Sequence, residues 1–350
     1  MHGANQAHPG TAAGAAAART LCRVVGTGSA LPARILTNRE IEAMVETTDE
    51  WIVTRTGIRE RRIAEFTERT SDYAARAARA ALAAAHMGTG DVGLIVVGTT
   101  SPDLRIPATA NFVQQDLGAA RAFVYDVNAA CSGFLFALAA AEAQIRAGQA
   151  ESGLVIGADL YSSLVNWKDR DTCVLFGDGA GAVALRKVEG SAGSDPDAER
   201  GILAMVLRST PVGIDILGCK GAGTADRTSL EAVPTGFIHM EGRKVFRLAI
   251  DGLEGAVRAV LEKVGRTVKD LDWVVPHQAN RRIIEEVVSR LGYGMDRVVI
   301  NLDRYGNTSA ASIPIALDEA VRDGRIKPGH LVLLAAAGAG FSAGAVLIRM

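Results

Sequence analysis

Three residues stand where an apolar, strand-like run gives way to a helix-like run: Cys131 in VYDVNAACSGFLFALAAAEAQI, His277 in LDWVVPHQANRRIIEEVV and Asn307 in INLDRYGNTSAASIPIAL. A thiol at a helix start meets unsatisfied N–H groups and the positive end of the helix dipole. Both favour thiolate, so this position predicts a lowered pKa and a nucleophile at neutral pH. The small neighbours Ala129, Ala130, Ser132 and Gly133 would leave room for a substrate. Free cysteines also serve as small buried hydrophobes, and from this context alone both readings stay open for Cys131. Cys22, Cys173 and Cys219 lack a helix-start position and read as packing residues. His277 is stiffened by Pro276 and followed by a Gln278-Ala279-Asn280 turn, while Gly306-Asn307 is also ordinary turn chemistry. Together the three supply a nucleophile and two neutral hydrogen-bond donors, with no carboxylate in the set. That combination suits thioesters. Cys131 would accept an acyl group. His277 Nε2–H and Asn307 Nδ2–H would hold the carbonyl oxygen of a second, malonyl-type thioester as carbon dioxide leaves, and the enolate would attack acyl-Cys131.

Apolar runs alternating with Ala-rich runs mark an α/β protein. The strands predicted are Leu21–Thr27, Leu94–Gly98, Ala122–Val127, Gly153–Gly157, Ala180–Leu185, Ile202–Arg208, Trp273–Val275, Arg297–Ile300, Leu331–Leu334 and Ala345–Ile348. Helices are predicted over Ser71–His86, Cys131–Ala147, Phe246–Val264, Arg281–Leu291 and Ile313–Arg322, with Ser71 or Asp72 as a cap for the first. The pattern repeats. At an offset of 179 residues Leu82 falls on Leu261, Val96 on Val275 and Ala130 on Ser309, and DGAGAVAL at 178–185 resembles FSAGAVLI at 341–348 at an offset of 163. Duplicated halves would bring the turns near 98, 131, 277 and 307 together at the carboxyl ends of the strands, where α/β folds place ligands.

The remaining features exclude other classes. The chain has 350 residues with 48% hydrophobic and 22% charged residues and a formal charge of −1, so it can bury a large core and has no global attraction to nucleic acid or anionic membrane. Four scattered cysteines form neither a disulfide scaffold nor a metal-ligand pattern, which points to a reducing cytoplasm. Residues 1–20 are Ala/Gly-rich and read as a disordered leader rather than a signal peptide. The charge-free stretch Leu331–Ile348 reads as two short buried strands joined by GAGFSAG, not as a membrane span. GTG at 26–28, GDGAG at 177–181 and GCKGAG at 218–223 complete no dinucleotide or phosphate loop and read as tight turns.

From about Arg19 to Met350 the chain resembles 3-oxoacyl-[acyl-carrier-protein] synthase III, of the thiolase-like superfamily. The resemblance rests on VGTGSALPARILTN, WIVTRTGIRERR, DVNAACSGF, FGDGAGAV, MEGRKVF, PHQAN and RYGNTSAAS, in order. It implies a five-layered αβαβα fold, with a nucleophile half over 21–190 and a His/Asn half over 201–350, in a homodimer. It implies a Cys131-His277-Asn307 triad and a ping-pong reaction in which acyl-CoA loads Cys131 and malonyl-acyl carrier protein is decarboxylated and condensed to 3-oxoacyl-carrier protein, starting fatty acid synthesis. No metal or cofactor is implied beyond the CoA thioester substrate. Trp51, Arg55 and Arg170 correspond to CoA nucleotide contacts, Gly242 and Asn280 to pantetheine contacts, and Arg247 and Arg282 to a rim for the acidic carrier protein. The backbone N–H groups of Cys131 and Ala339 correspond to the oxyanion donors, Ala339 standing where many members have Gly. Ile106, in the acyl pocket, and Ala337 and Ala343 stand where many members carry an aromatic residue, which predicts a longer or branched primer. A specialised acyltransferase or condensing enzyme of secondary metabolism is the alternative. Intact PHQAN and YGNTS motifs favour condensation, because plain acyl transfer has no use for a decarboxylation pair. A thiolase would need a second late cysteine, and the last here is Cys219.

Overall fold

The computed structural model describes residues 20–189, 200–219 and 236–350. Strands β1 (Thr20–Ala30), β2 (Leu94–Gly98), β3 (Phe123–Val127), β4 (Ser152–Leu160) and β5 (Asp178–Glu189) form a five-stranded sheet in the order β1-β5-β4-β2-β3. Strands β6 (Gly201–Ser209), β7 (Trp273–Pro276), β8 (Leu331–Gly338) and β9 (Ser342–Arg349) form a four-stranded sheet in the order β7-β8-β9-β6. The pairing repeats between sheets: β2 runs parallel to β4 and β4 antiparallel to β5, as β7 runs parallel to β8 and β8 antiparallel to β9.

Helices α1 (Asp49–Thr56), α2 (Thr70–Ala84), α3 (Thr109–Leu117), α4 (Gly133–Arg146), α5 (Gly242–Glu262), α6 (Arg281–Leu291) and α7 (Ser312–Arg322) complete the frame. Three apolar clusters order the layers. Ala74, Ala77, Ala78 and Ala81 of α2 and Val113 of α3 pack on Ile95, Val97, Ile156 and Ala182 of the first sheet. Phe134, Leu138, Ile313 and Leu317 of α4 and α7 lie between the sheets, against Val96, Val155, Val332 and Leu334. Ile250, Leu253, Ile284 and Val287 of α5 and α6 cover Leu331, Leu333 and Ala335 on the far face of the second sheet. The result is αβαβα, with α4 and α7 as the middle layer. Strands between two helical layers have no wet face, which is why LVLLAAAG is a continuous apolar run rather than an alternating one. The GTG motif also finds its reason. A Cβ at Gly26 or Gly28 would lie 2.3 or 2.4 Å from a carbonyl oxygen of α2, so these glycines let β1 approach the alanine face.

Leu331–Ile348 forms β8 and β9, as expected, and no helix among the described residues is long and apolar enough to cross a membrane. Two expectations need correction. Arg297–Ile300 is not a strand: Val298 makes a single bridge to Val274, because the Gln278 side chain donates to Val299 O at 3.0 Å and accepts from Asn301 N at 3.1 Å, taking the place of a neighbouring strand. Neither Ser71 nor Asp72 is the N-cap of α2. That position is Arg69, whose N–H donates to Asp72 at 2.8 Å, while Ser71 Oγ donates to Asp103 at 2.6 Å. The hairpin Arg34–Thr37/Glu60–Ile63 and helices α1 and α3 were not foreseen. The expected leader lies outside the described residues, apart from Thr20, which begins β1.

Candidate active site

Two turns of one geometry form the centre. After β3, Asn128 leads into a 3-10 turn at Ala130–Ser132 and then α4; Asn307 leads into a 3-10 turn at Ser309–Ala311 and then α7. Ala130 and Ser309 hold φ of 48° and 50°, a left-handed conformation that costs a residue with Cβ about 1–3 kcal/mol. Each is braced by the preceding asparagine: Ala130 N–H donates to Asn128 Oδ1 at 3.3 Å and Ser309 N–H to Asn307 Oδ1 at 2.9 Å. The turns face one another, with Ser309 Oγ 3.6 Å from Cys131 Sγ.

Cys131, His277 and Asn307 line one cavity of about 1280 Å³. His277 extends β7 by donating its N–H to Ala335 O at 2.8 Å, and its Nδ1 lies 2.6 Å from Ser312 Oγ. Asn307 is fixed through its backbone, its N–H donating to Leu175 O at 2.9 Å and its C=O accepting from Gly177 N–H at 3.1 Å. The two atoms that would act on substrate, His277 Nε2 and Asn307 Nδ2, have no hydrogen-bond partner among the described residues. Each residue commits one end to the fold and leaves the other to the cavity.

The electrostatics correct one expectation. Burial pushes the Cys131 thiol up to about 12; the Asp159 carboxylate adds to the rise and the Ser309 hydroxyl opposes it. The free site therefore holds a thiol rather than a thiolate, and deprotonation belongs to the attack on substrate. Burial pulls His277 down to about 4, which keeps its ring neutral at physiological pH. Asp159, buried and raised by desolvation, accepts from Thr99, Thr100, Ser101 and Ala310. Among the described residues no group of three or more His, Cys, Asp or Glu side chains is placed to hold a metal ion.

Comparison with known proteins decides the family. Residues 125–209 match the model for 3-oxoacyl-[acyl-carrier-protein (ACP)] synthase III, and 261–350 match its C-terminal model. The chain is 50% identical over 328 residues to the beta-ketoacyl-[acyl-carrier-protein] synthase III of Paramagnetospirillum magneticum, covering 94% of this chain and 98% of that one. The chain belongs to the synthase III family. The crystal structure of 3-oxoacyl-[acyl-carrier-protein] synthase III from Aquifex aeolicus superposes with a TM-score of 0.85 at 42% identity, covering 94% of this chain and 100% of that one. The enzyme from Pseudomonas aeruginosa gives a TM-score of 0.85 at 39% identity, covering 94% and 98%. The fold is thus the thiolase-like one, and the protein is a condensing acyltransferase that initiates fatty acid synthesis. Nothing in the comparison favours the secondary-metabolism alternative.

Against the synthase III pattern, most of the remaining residues named from sequence line the same cavity: Trp51, Arg55, Arg170, Gly242, Arg247, Asn280, Arg282 and Ala339. Two guanidinium groups lie over the Trp51 ring, Arg55 at 4.9 Å and Arg170 at 5.1 Å from its centroid. Asn280 is largely structural: its Oδ1 accepts from Arg282 N–H at 2.9 Å at the start of α6, and its Nδ2 donates to Arg55 O at 3.0 Å. Ala339 needs no left-handed conformation, because Gly340, at φ 111°, takes it instead. The N–H groups of Cys131 and Ala339 donate to no backbone acceptor among the described residues. Ile106 does not line the cavity. It is 87% exposed, on the connection between β2 and α3 that projects from the first sheet. Ala337 lines the cavity, whereas Ala343 is buried beside Gly252 of α5. The bulk missing there appears elsewhere, as Tyr161 and Phe176 stack at 4.6 Å in the cavity wall. Ser312, Asp159 and Tyr161 were not singled out from sequence, and Ser309 only as the repeat partner of Ala130. The two serines lie inside YGNTSAAS, where their types were visible and their partners were not.

Proposed function

We propose that the condensation runs through an acyl-Cys131 intermediate, with the two halves dividing the chemistry. Cys131 Sγ attacks the carbonyl carbon of an acyl-CoA primer, and the N–H groups of Cys131 and Ala339 hold the resulting oxyanion. Collapse breaks the carbon–sulfur bond to CoA, and the thiol proton leaves with it as CoA–SH. Malonyl-acyl carrier protein then places its thioester oxygen against His277 Nε2–H and Asn307 Nδ2–H. The bond to the carboxylate breaks, carbon dioxide departs, and its electron pair becomes the enolate that these donors stabilise. The enolate carbon attacks acyl-Cys131, and expulsion of the thiolate releases 3-oxoacyl-carrier protein; Cys131 regains a proton from solvent. A buried neutral imidazole suits this work, since a preorganised donor stabilises developing charge without first reorganising water. The observation that carries the reading is the convergence of Cys131, His277 and Asn307 on one cavity, with both donor atoms unpartnered among the described residues.

The aromatic wall of Tyr161 and Phe176 supports a short primer rather than the longer one suggested by small residues at 106, 337 and 343. Trp51, Arg55 and Arg170 form the nucleotide end of the CoA site. Arg247 and Arg282, joined by the cavity-lining Arg243, make a rim for an acidic carrier protein. A homodimer is supported by β3, an edge strand with one open side, and by Leu104 and Ile106, 53% and 87% exposed beside it. Four scattered cysteines, with no spacing of a disulfide framework, suit the reducing cytoplasm. Intact-protein mass spectrometry with acetyl-, isobutyryl- and octanoyl-CoA, followed by malonyl-carrier protein, tests the scheme. The expected result is an acetyl adduct on Cys131 that disappears as 3-oxoacyl-carrier protein forms; an adduct on another residue, or one that malonyl-carrier protein never discharges, overturns it.

A further inference from the structure

The donor role of His277 requires its hydrogen on Nε2, and the residues behind the ring determine where that hydrogen sits. Ser312, buried in the first turn of α7, has Oγ 2.6 Å from His277 Nδ1 and 3.3 Å from Gln278 N. A backbone N–H can only donate, so Gln278 engages the serine oxygen as an acceptor. Among the described residues Ser312 Oγ has no partner besides the Gln278 N–H and the His277 ring. Its own hydrogen therefore has one outlet, the lone pair of His277 Nδ1. With the opposite tautomer the hydroxyl hydrogen would have no acceptor in a buried site.

We propose that Ser312 is the positioning residue that fixes His277 as the Nε2–H tautomer and holds the ring facing the cavity, through the chain Gln278 N–H to Ser312 Oγ–H to His277 Nδ1. The duplicated half supplies an independent observation. At the offset of 179 residues His277 corresponds to Gly98 and Ser312 to Gly133. Those glycines touch, a Cβ on Gly98 lying 2.6 Å from the Gly133 carbonyl carbon. Where one half closes strand end on helix start by bare backbone, the other fills the same juncture with a hydrogen-bonded pair.

This inference rests on the reading of His277 as an enolate donor, and its test separates the two. Enzyme labelled with ¹⁵N-histidine is examined by NMR, with His277 assigned by its loss in His277→Gln, and acyl loading and malonyl decarboxylation are measured separately. In the wild type Nε2 carries the hydrogen and Nδ1 does not. Ser312→Ala gives a mixture of tautomers and lowers the decarboxylation kcat about 10- to 100-fold, with KM for malonyl-carrier protein and the loading of Cys131 nearly unchanged. Ser312→Thr, which keeps the hydroxyl, restores both the spectrum and the rate. A wild-type ring protonated on Nδ1, or a Ser312→Ala enzyme with unaltered tautomer and kcat, overturns the proposal. If instead His277→Ala, which removes the donor, decarboxylates at the wild-type rate, the donor reading itself fails.

Discussion

The turns at Ala130–Ser132 and Ser309–Ala311 share a backbone and differ in chemistry. Both place a non-glycine residue at positive φ, brace it with an asparagine two positions earlier, and enter a helix of the middle layer. Cys131 of one turn corresponds to Ala310 of the other. The strand registers extend the comparison: β2 pairs Val97 with Ile156 as β7 pairs Pro276 with Ala335, and Asp159 pairs with Gly179 as Gly338 pairs with Ser342. Asp159 therefore corresponds to Gly338. In the second turn the Asp159 carboxylate accepts the Ala310 N–H at 3.1 Å. In the first turn the corresponding Cys131 N–H faces a glycine, on which a Cβ would lie only 2.8 Å away. A second-half donor that a carboxylate of the first half fills has its counterpart in the Cys131 N–H, which a glycine of the second half leaves open and which the proposed mechanism uses for a substrate oxyanion. The two turns share one shape, and on the proposed mechanism single side chains make one the attacking site and the other the enolate-stabilising site.

The comparison breaks most completely if the plug is moved across. Gly338→Asp puts a carboxylate where the oxyanion must form, and loading of Cys131 from acyl-CoA, read by intact mass, falls to background; Gly338→Ala, which only crowds the same N–H, gives a smaller loss. On the other side, Asp159→Asn leaves buried donors of Thr99, Thr100, Ser101 and Ala310 competing for one acceptor oxygen. It costs about 4 kcal/mol in urea unfolding, with little specific effect on the chemistry of the protein that remains folded. Unchanged stability would mean that the carboxylate does not hold that turn.

The buried imidazole sharpens the contrast through pH. His277 is pulled from 6.5 to about 4, so between these values the unfolded chain binds a proton that the native site refuses. The stability from this group is present above pH 6.5 and is lost as pH falls towards 4, by about 3 kcal/mol. Asp178, pushed from 3.8 to about 6 by burial, acts with the opposite sign: its contribution is present below 3.8 and is lost as pH rises through 6. The informative quantity is the difference between wild type and His277→Gln. The variant gains stability relative to wild type as pH drops from 6.5 to 4.5, and a constant difference across that range would contradict a buried neutral ring. The smallest effect is at the rim. Arg247→Ala and Arg282→Ala each raise KM for malonyl-carrier protein several-fold at low salt, and the effect fades at high salt while acyl-CoA loading stays unchanged.

Legibility in the sequence followed the range of the interactions. The pairing of Ala130 with Ser309 put the two strand-to-helix turns in register, because local turn chemistry is written in local sequence; the positive φ shared by the two residues came only with the structure. The apolar runs likewise located the strands that two helical layers cover. What failed depended on distant residues. The direction of the Cys131 shift reverses because burial and Asp159, 28 positions on, outweigh what the helix start alone suggests. Arg297–Ile300 has strand composition, yet the Gln278 side chain occupies the edge that a neighbouring strand would need. Ile106 has acyl-pocket composition, but its connection carries it away from the cavity of its own chain. Ser312 was visible only as a motif letter until the fold set it against His277.

The division of labour between the halves is tested most directly by assaying its two steps separately in His277→Ala and Asn307→Ala. Both variants are expected still to form an acyl adduct on Cys131, while malonyl decarboxylation falls about 10²- to 10³-fold in each. Equal loss of loading and decarboxylation, or decarboxylation that survives both substitutions, would contradict that division.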